Sequence, residues 1–144
     1  LFVAGGSGLS SPKSMIEDLL FEGCTLPITL MYGARSQDEL YYHQEFTELA
    51  AKHPNFTYVP ALSDEPADSG WTGARGFVNE AAKAHFNNNF SGQKAYLCGP
   101  PPMIDAVIST LMQGSLFERD IYTEKFISAV DAANTVRSPL FKKI

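Results

Sequence analysis

Short apolar runs alternate with helical periodicities along the chain. Leu1 to Ala4 reads as a buried strand, and Gly5-Gly6-Ser7-Gly8 follows as a tight loop. Residues 12 to 22 set Met15, Ile16, Leu19 and Leu20 on one helical face, with Pro12 in the first turn and Gly23 as the stop. Ile28 to Tyr32 is a second strand, residues 37 to 52 a second helix bearing Leu40, Phe46, Leu49 and Ala50, and Phe56 to Val59 a short third strand. Pro60 to Ala74 is irregular and reads as a surface loop, with Trp71 packing over it. A helix over 75 to 86, a strand over 94 to 98, a helix over 103 to 113 and a strand over 119 to 126 complete the series. Residues 127–144 have weak periodicity and carry no assigned element.

This alternation predicts an α/β fold: a five-stranded parallel sheet with helices on both faces. Right-handed crossovers collect the loops that follow the strands along one edge, where such sheets bind ligands. The chemically unusual segments fall at those ends: the glycine loop, Gly33-Ala34-Arg35, and Cys98-Gly99-Pro100. That coincidence points to a nucleotide site.

Composition narrows the classes. The chain has 144 residues, 44% of them hydrophobic, and a formal net charge of −5. One domain fits that length, and the acidic balance argues against nucleic acid or anionic lipid as a partner. No apolar run reaches the length of a membrane helix. The two cysteines, Cys24 and Cys98, show no metal or redox spacing and read as free thiols in a reducing compartment, so no metal site is expected. The chain opens without methionine directly into a strand, which points to a piece of a longer polypeptide.

Gly5-Gly6-Ser7-Gly8-Leu9-Ser10-Ser11-Pro12 follows a strand and opens a helix, where glycines admit a pyrophosphate and the helix start offers N–H groups. The full glycine-x-glycine-x-x-glycine fingerprint is unmet, because Ser11 stands at its last position, and an ordinary strand-to-helix turn fits the same residues. After strand two, Asp38 or Glu39 could accept bonds from a ribose 2′-hydroxyl, Arg35 could grip a phosphate, or the acids could simply complement a helix dipole. Cys98 precedes three consecutive prolines, so a thiol is held on a stiff turn; contact with a flat ring and plain burial both fit. His43, His53 and His85 show no ligand spacing.

Three motifs in this order resemble the ferredoxin–NADP reductase superfamily, and more narrowly the reductase components of multicomponent phenol hydroxylases: Ala4 to Pro12, Tyr32-Gly33-Ala34-Arg35, and Cys98-Gly99-Pro100-Pro101-Pro102-Met103. Ile121 to Phe126 is a fourth. The resemblance implies an NAD(P)H-binding domain over 1–126 with an extension over 127–144. It implies NADH held by Gly5, Gly6, Ser7, Gly8, Leu9, Ser10, Gly33, Arg35, Asp38, Cys98, Gly99, Pro100, Pro101 and Met103. Cys98, Glu124 and Phe126 would stand beside the reacting rings. Asp38 matches an acid used at the ribose by NADH-preferring members. Hydride would pass to FAD, and electrons would go on through a [2Fe–2S] centre to a di-iron hydroxylase acting on an aromatic ring, in the cytoplasm. The flavin-binding Arg-x-Tyr-Ser/Thr motif and a four-cysteine cluster are missing from the sequence, so flavin and ferredoxin-like domains are expected elsewhere in the same polypeptide. The alternatives are an NAD(H)-binding module without hydride chemistry, and the reductase of a different monooxygenase or dioxygenase. A hydrolase using Ser7 or Cys98 lacks a histidine at any expected strand end.

Overall fold

In the computed structural model, which describes residues 1–6, 8–125 and 142–143, all strands run parallel in one sheet. The chain order is β1 (Phe2–Gly5), α1 (Ser10–Phe21), β2 (Ile28–Ala34), α2 (His43–Lys52), β3 (Phe56–Leu62), β4 (Ala74–Arg75), α3 (Val78–His85), β5 (Ala95–Gly99), α4 (Pro101–Gln113), β6 (Ile121–Lys125) and β7 (Lys142–Lys143). The spatial order is β4-β3-β2-β1-β5-β6-β7. Strand order therefore reverses between β1 and β5, and the loops leaving those two strands part to either side.

Two apolar layers explain why these strands read as unbroken runs. Side chains alternate across each strand, so Val3, Met31 and Leu97 meet Val78, Ala82, Ile104 and Leu111 of α3 and α4 on one face. Phe2, Ala4, Leu30 and Tyr32 meet Ile16, Leu20 and Phe46 of α1 and α2 on the other. Helix α1 buries Pro12, Ile16 and Leu20, one stripe at fourfold spacing. Helix α2 buries only Phe46, at 1% exposure. Full burial of such a side chain stabilises by roughly 1.5–3 kcal/mol.

Among the described residues the sheet has seven strands, not the expected five; β4 and β7 have two residues each, too few for a visible period. The helix expected over 37 to 52 is a single 3₁₀ turn, Gln37–Glu39, and then α2 from His43. Leu40 is extended and Tyr42 takes the left-handed conformation at φ 56°, so no continuous helix passes through. Tyr41 and Tyr42 stand exposed, with Lys13 Nζ 4.9 Å from the Tyr42 ring centre.

Strand β3 runs through Pro60 to Leu62, into the stretch expected as loop. The Ser63 N–H donates to the Ala34 carbonyl and the Leu62 carbonyl accepts from Gly76, so the Pro60 nitrogen points away from β2, where β4 has not yet begun. A missing donor is tolerated on an open side. The intervening loop is tied by Arg75, whose Nη1 and Nη2 donate to the carbonyls of Glu65 and Trp71 at 2.9 and 3.2 Å. Trp71 Nε1 donates to the Ala74 carbonyl at 3.0 Å. Left-handed Gly76, at φ 100°, and extended Phe77 delay α3 to Val78. A 3₁₀ turn, Glu118–Asp120, likewise delays β6 to Ile121. Of the expected extension, only Lys142–Lys143 lie within the described residues, where they pair with Tyr122 and Thr123 of β6.

Candidate functional site

A cleft of about 730 Å³ opens at the carboxyl edge of the sheet. Gly5 and Gly6 enter it from β1, Gly33, Ala34 and Arg35 from β2, and Ala61 and Ser63 from β3. Phe77, Val78 and Asn79 at the start of α3 form one wall, and Pro100, Pro102, Met103 and Ala106 form another. Glu39 closes the side beyond Arg35.

The glycine loop turns at Gly6, at φ 59°, a conformation that favours glycine. Gly6 N–H donates to the Gly33 carbonyl at 3.4 Å and Gly8 N–H to the Gly5 carbonyl at 3.0 Å. A side chain on Gly5 would collide with Met103 Sδ, so β1 and α4 approach as closely as backbone and thioether allow.

The two helices that start at this edge differ in chemistry. Among the described residues the first bond of α1 is Lys13 N–H to the Leu9 carbonyl, and the N–H groups of Ser10 and Ser11 have no intrahelical acceptor. Such a start attracts anions. In α4 the cap is Pro100 and the first two positions are Pro101 and Pro102, so the first turn has only the Met103 N–H to offer. One helix start suits phosphate, and the other is an apolar surface suited to a flat ring.

Cys98 lies between them on β5, 1% exposed, in register with Ala4 on one side and Glu124 on the other. Its Sγ donates to Glu124 Oε2 at 3.9 Å. Burial, and then the Glu124 carboxylate beside it, push the thiol up to about 12, so the sulfur keeps its proton at neutral pH.

Arg35 and Glu39 form a forked pair at the rim: Nη2 to Oε1 is 2.6 Å and Nε to Oε1 is 3.0 Å. The Arg35 backbone N–H also donates to Glu39 Oε2, at 3.3 Å. The Arg35 guanidinium holds the Glu39 carboxyl below the usual carboxylate range. Glu65 accepts from Gln37 N–H and Nε2 at 2.9 and 2.7 Å, which fixes the turn that carries Glu39.

Of the residues expected at the site, Gly5, Gly6, Gly33, Arg35, Pro100 and Met103 line the cleft. Gly8 and Leu9 are buried behind it, and Ser10, Asp38, Cys98, Gly99 and Pro101 lie outside its lining. Asp38 is exposed on the outer side of the 3₁₀ turn, and it is Glu39 that faces inward. Ser7 and Phe126 lie outside the described residues. Ser63, Phe77, Val78 and Asn79 escape a sequence reading because the third strand and third helix were bounded differently. Gly76 just before Phe77 is the signal that marks the turn. The described residues include no group of three or more His, Cys, Asp or Glu able to hold a metal. They include no helix long and apolar enough to cross a membrane.

This doubly wound sheet, with a glycine loop and a cleft at its switch point, defines a nucleotide-binding α/β domain. The sequence matches the family "Oxidoreductase NAD-binding domain" over residues 2–109, and the chain belongs to that family. It is 63% identical, over its whole length, to the phenol 2-monooxygenase reductase component DmpP of Pseudomonas sp. (strain CF600), and 57% identical to the phenol hydroxylase P5 protein of Acinetobacter pittii (strain PHEA-2). The chain spans 41% of the length of each. Among solved structures it resembles the Amycolatopsis cytochrome P450 reductase GcoB, with a TM-score of 0.80 and 31% identity over 89% of this chain and 37% of that one.

Proposed function

We propose that this chain is the NADH-binding part of a flavin-dependent reductase that delivers electrons to a di-iron phenol hydroxylase. The observation that carries the binding reading is the asymmetry of the cleft edge: at the start of α1 the N–H groups of Ser10 and Ser11 have no acceptor among the described residues, the start of α4 is proline-rich with a single N–H at Met103, and a protonated thiol lies close by on β5. The 63% identity to a phenol 2-monooxygenase reductase supports the choice of electron acceptor.

In this reading the pyrophosphate of NADH lies on the glycine loop and the N–H groups of Ser10 and Ser11. The nicotinamide lies against the proline start of α4, towards Cys98. The thiol buried behind that surface is neutral, so it adds no charge as the ring becomes cationic. Glu124 holds the sulfur in place. FAD, held mainly by another domain of the same polypeptide, supplies the hydride acceptor. Two cysteines cannot provide four ligands, so the [2Fe–2S] centre belongs to a ferredoxin-like domain outside this chain. In this reading the reductase works in the cytoplasm.

We assign the adenosine ribose to Glu39 instead of Asp38, because Glu39 lines the cleft. Its carboxylate keeps acceptor capacity for a 2′-hydroxyl, whereas a 2′-phosphate meets that negative charge beside an arginine already engaged. Calorimetric titration of the chain with NADH and then NADPH tests the reading. NADH binding tighter than NADPH is expected; tighter NADPH binding would transfer the role to Arg35, and binding of neither would remove the cofactor assignment.

A further inference from the structure

Among the described residues Tyr32 is the largest fully buried side chain, at 0% exposure, and its hydroxyl bonds to Gly6 and Glu39, which both line the cleft. It donates towards the Gly6 carbonyl at 3.0 Å, with the Glu39 carbonyl as a second acceptor at 3.3 Å. It also accepts from the Tyr41 N–H at 3.3 Å. The ring is fixed in the layer between the sheet and α1 and α2. The hydroxyl therefore joins two loops that have no strand pairing with each other: the phosphate loop at Gly6, and the turn from Glu39 to Tyr41. Gly6 is held from both sides by consecutive residues of β2, since its N–H donates to the Gly33 carbonyl.

We propose that Tyr32 is a positioning residue for the cofactor: its hydroxyl sets the spacing between the phosphate-binding glycine loop and the ribose-facing Glu39, so that a dinucleotide meets both at once. The inference rests on the cofactor reading above. Burial holds the phenol above its ordinary range, so the hydroxyl keeps its proton and its donor role across neutral pH. Phenylalanine at this place would preserve the ring packing but leave the Gly6 carbonyl and the Tyr41 N–H without their shared partner. Each loop would then be ordered separately by the ligand.

The test is a binding cycle in the full chain with Tyr32→Phe, Glu39→Gln and the double variant, each titrated with NADH and NADPH alongside thermal melts. Tyr32→Phe is expected to weaken NADH about tenfold, the scale of one lost hydrogen bond. It should also narrow the preference for NADH over NADPH, and the loss caused by Glu39→Gln should shrink in the Tyr32→Phe background. A purely structural role would lower the melting temperature and leave the preference and the coupling unmoved; that result overturns the proposal. If the unsubstituted chain binds neither nucleotide, the cofactor reading falls and this one with it. Should Tyr32→Phe fail to fold, amide exchange at Tyr41 in the unsubstituted chain decides: slower exchange with NADH is expected, and equal exchange with and without NADH overturns the proposal.

Discussion

Replacing Gly33 by alanine places a methyl group where β2 passes the start of α3. That carbon would lie 2.9 Å from Val78 Cβ and 3.2 Å from its Cγ1. Carbon atoms settle at about 3.5–4.0 Å, so the start of α3 must retreat by roughly 0.6–1 Å. No rotamer change helps, because the Val78 Cβ is fixed to the helix backbone. Overpacking of this kind costs about 1–3 kcal/mol. Gly33 is extended, not left-handed, so alanine also restricts the unfolded chain and returns about 0.4–1 kcal/mol. The net expectation is a loss of about 1–2 kcal/mol, read as a fall in melting temperature of roughly 3–8 °C. The displaced segment carries Phe77 and Asn79 of the cleft wall, so NADH binding should weaken in parallel. Denaturant and thermal unfolding of Gly33→Ala, alone and with Val78→Gly, measure the effect. Removing the Val78 Cβ should make the alanine nearly neutral. A melting point unchanged by Gly33→Ala, or an equal loss in both backgrounds, would refute the contact argument.

Cys98 should resist thiol reagents: in a Cys24→Ser variant, colorimetric thiol titration near pH 8 should detect almost no reaction, and rapid modification would mean the sulfur is accessible and less perturbed than its surroundings indicate. Because its pKa is raised to about 12 from an ordinary value near 9, its contribution to stability is whole below pH 9 and is lost as pH rises towards 12. Cys98→Ala should therefore flatten the alkaline limb of the unfolding free-energy curve, and a parallel limb would contradict this. Glu39→Gln should release Arg35 and raise NADPH affinity severalfold while NADH weakens; unchanged affinity for both would remove Glu39 from the ribose site.

The parallel sheet with helices on both faces was legible because β1, β2 and β5 are buried on both sides, and Phe2, Leu30 and Leu97 leave no polar interruption to misread. The glycine loop and the proline turn were legible because backbone chemistry is written directly in Gly and Pro. The break between Glu39 and His43 was hidden, since Tyr41 and Tyr42 look like helix residues and the group that accepts the Tyr41 N–H is the hydroxyl of Tyr32, outside that segment. The inward choice of Glu39 over Asp38 was hidden for the same reason: one residue of phase in a 3₁₀ turn depends on Gln37 being held by Glu65, far along the chain. Pro60 concealed the end of β3, because which side of a strand its nitrogen faces is a property of the neighbours.

The position of β1 at the middle of the sheet sets the order of assembly. Phe2 meets Leu30 on one side and Tyr96 on the other, so the first strand of this domain to be made waits for nearly all of the domain before its second flank is covered. Until then a nascent β1-β2-β3 sheet carries an open apolar border, the kind of border that invites wrong pairing. Long-range parallel pairing of this sort is slow to form. Docking of β5 closes that border and brings Gly99 and Met103 against Gly5 in the same event. A ribosome stalled before Ala95 would thus hold a chain with neither a closed sheet nor a nucleotide pocket, and the capacity to bind arrives together with the completed fold.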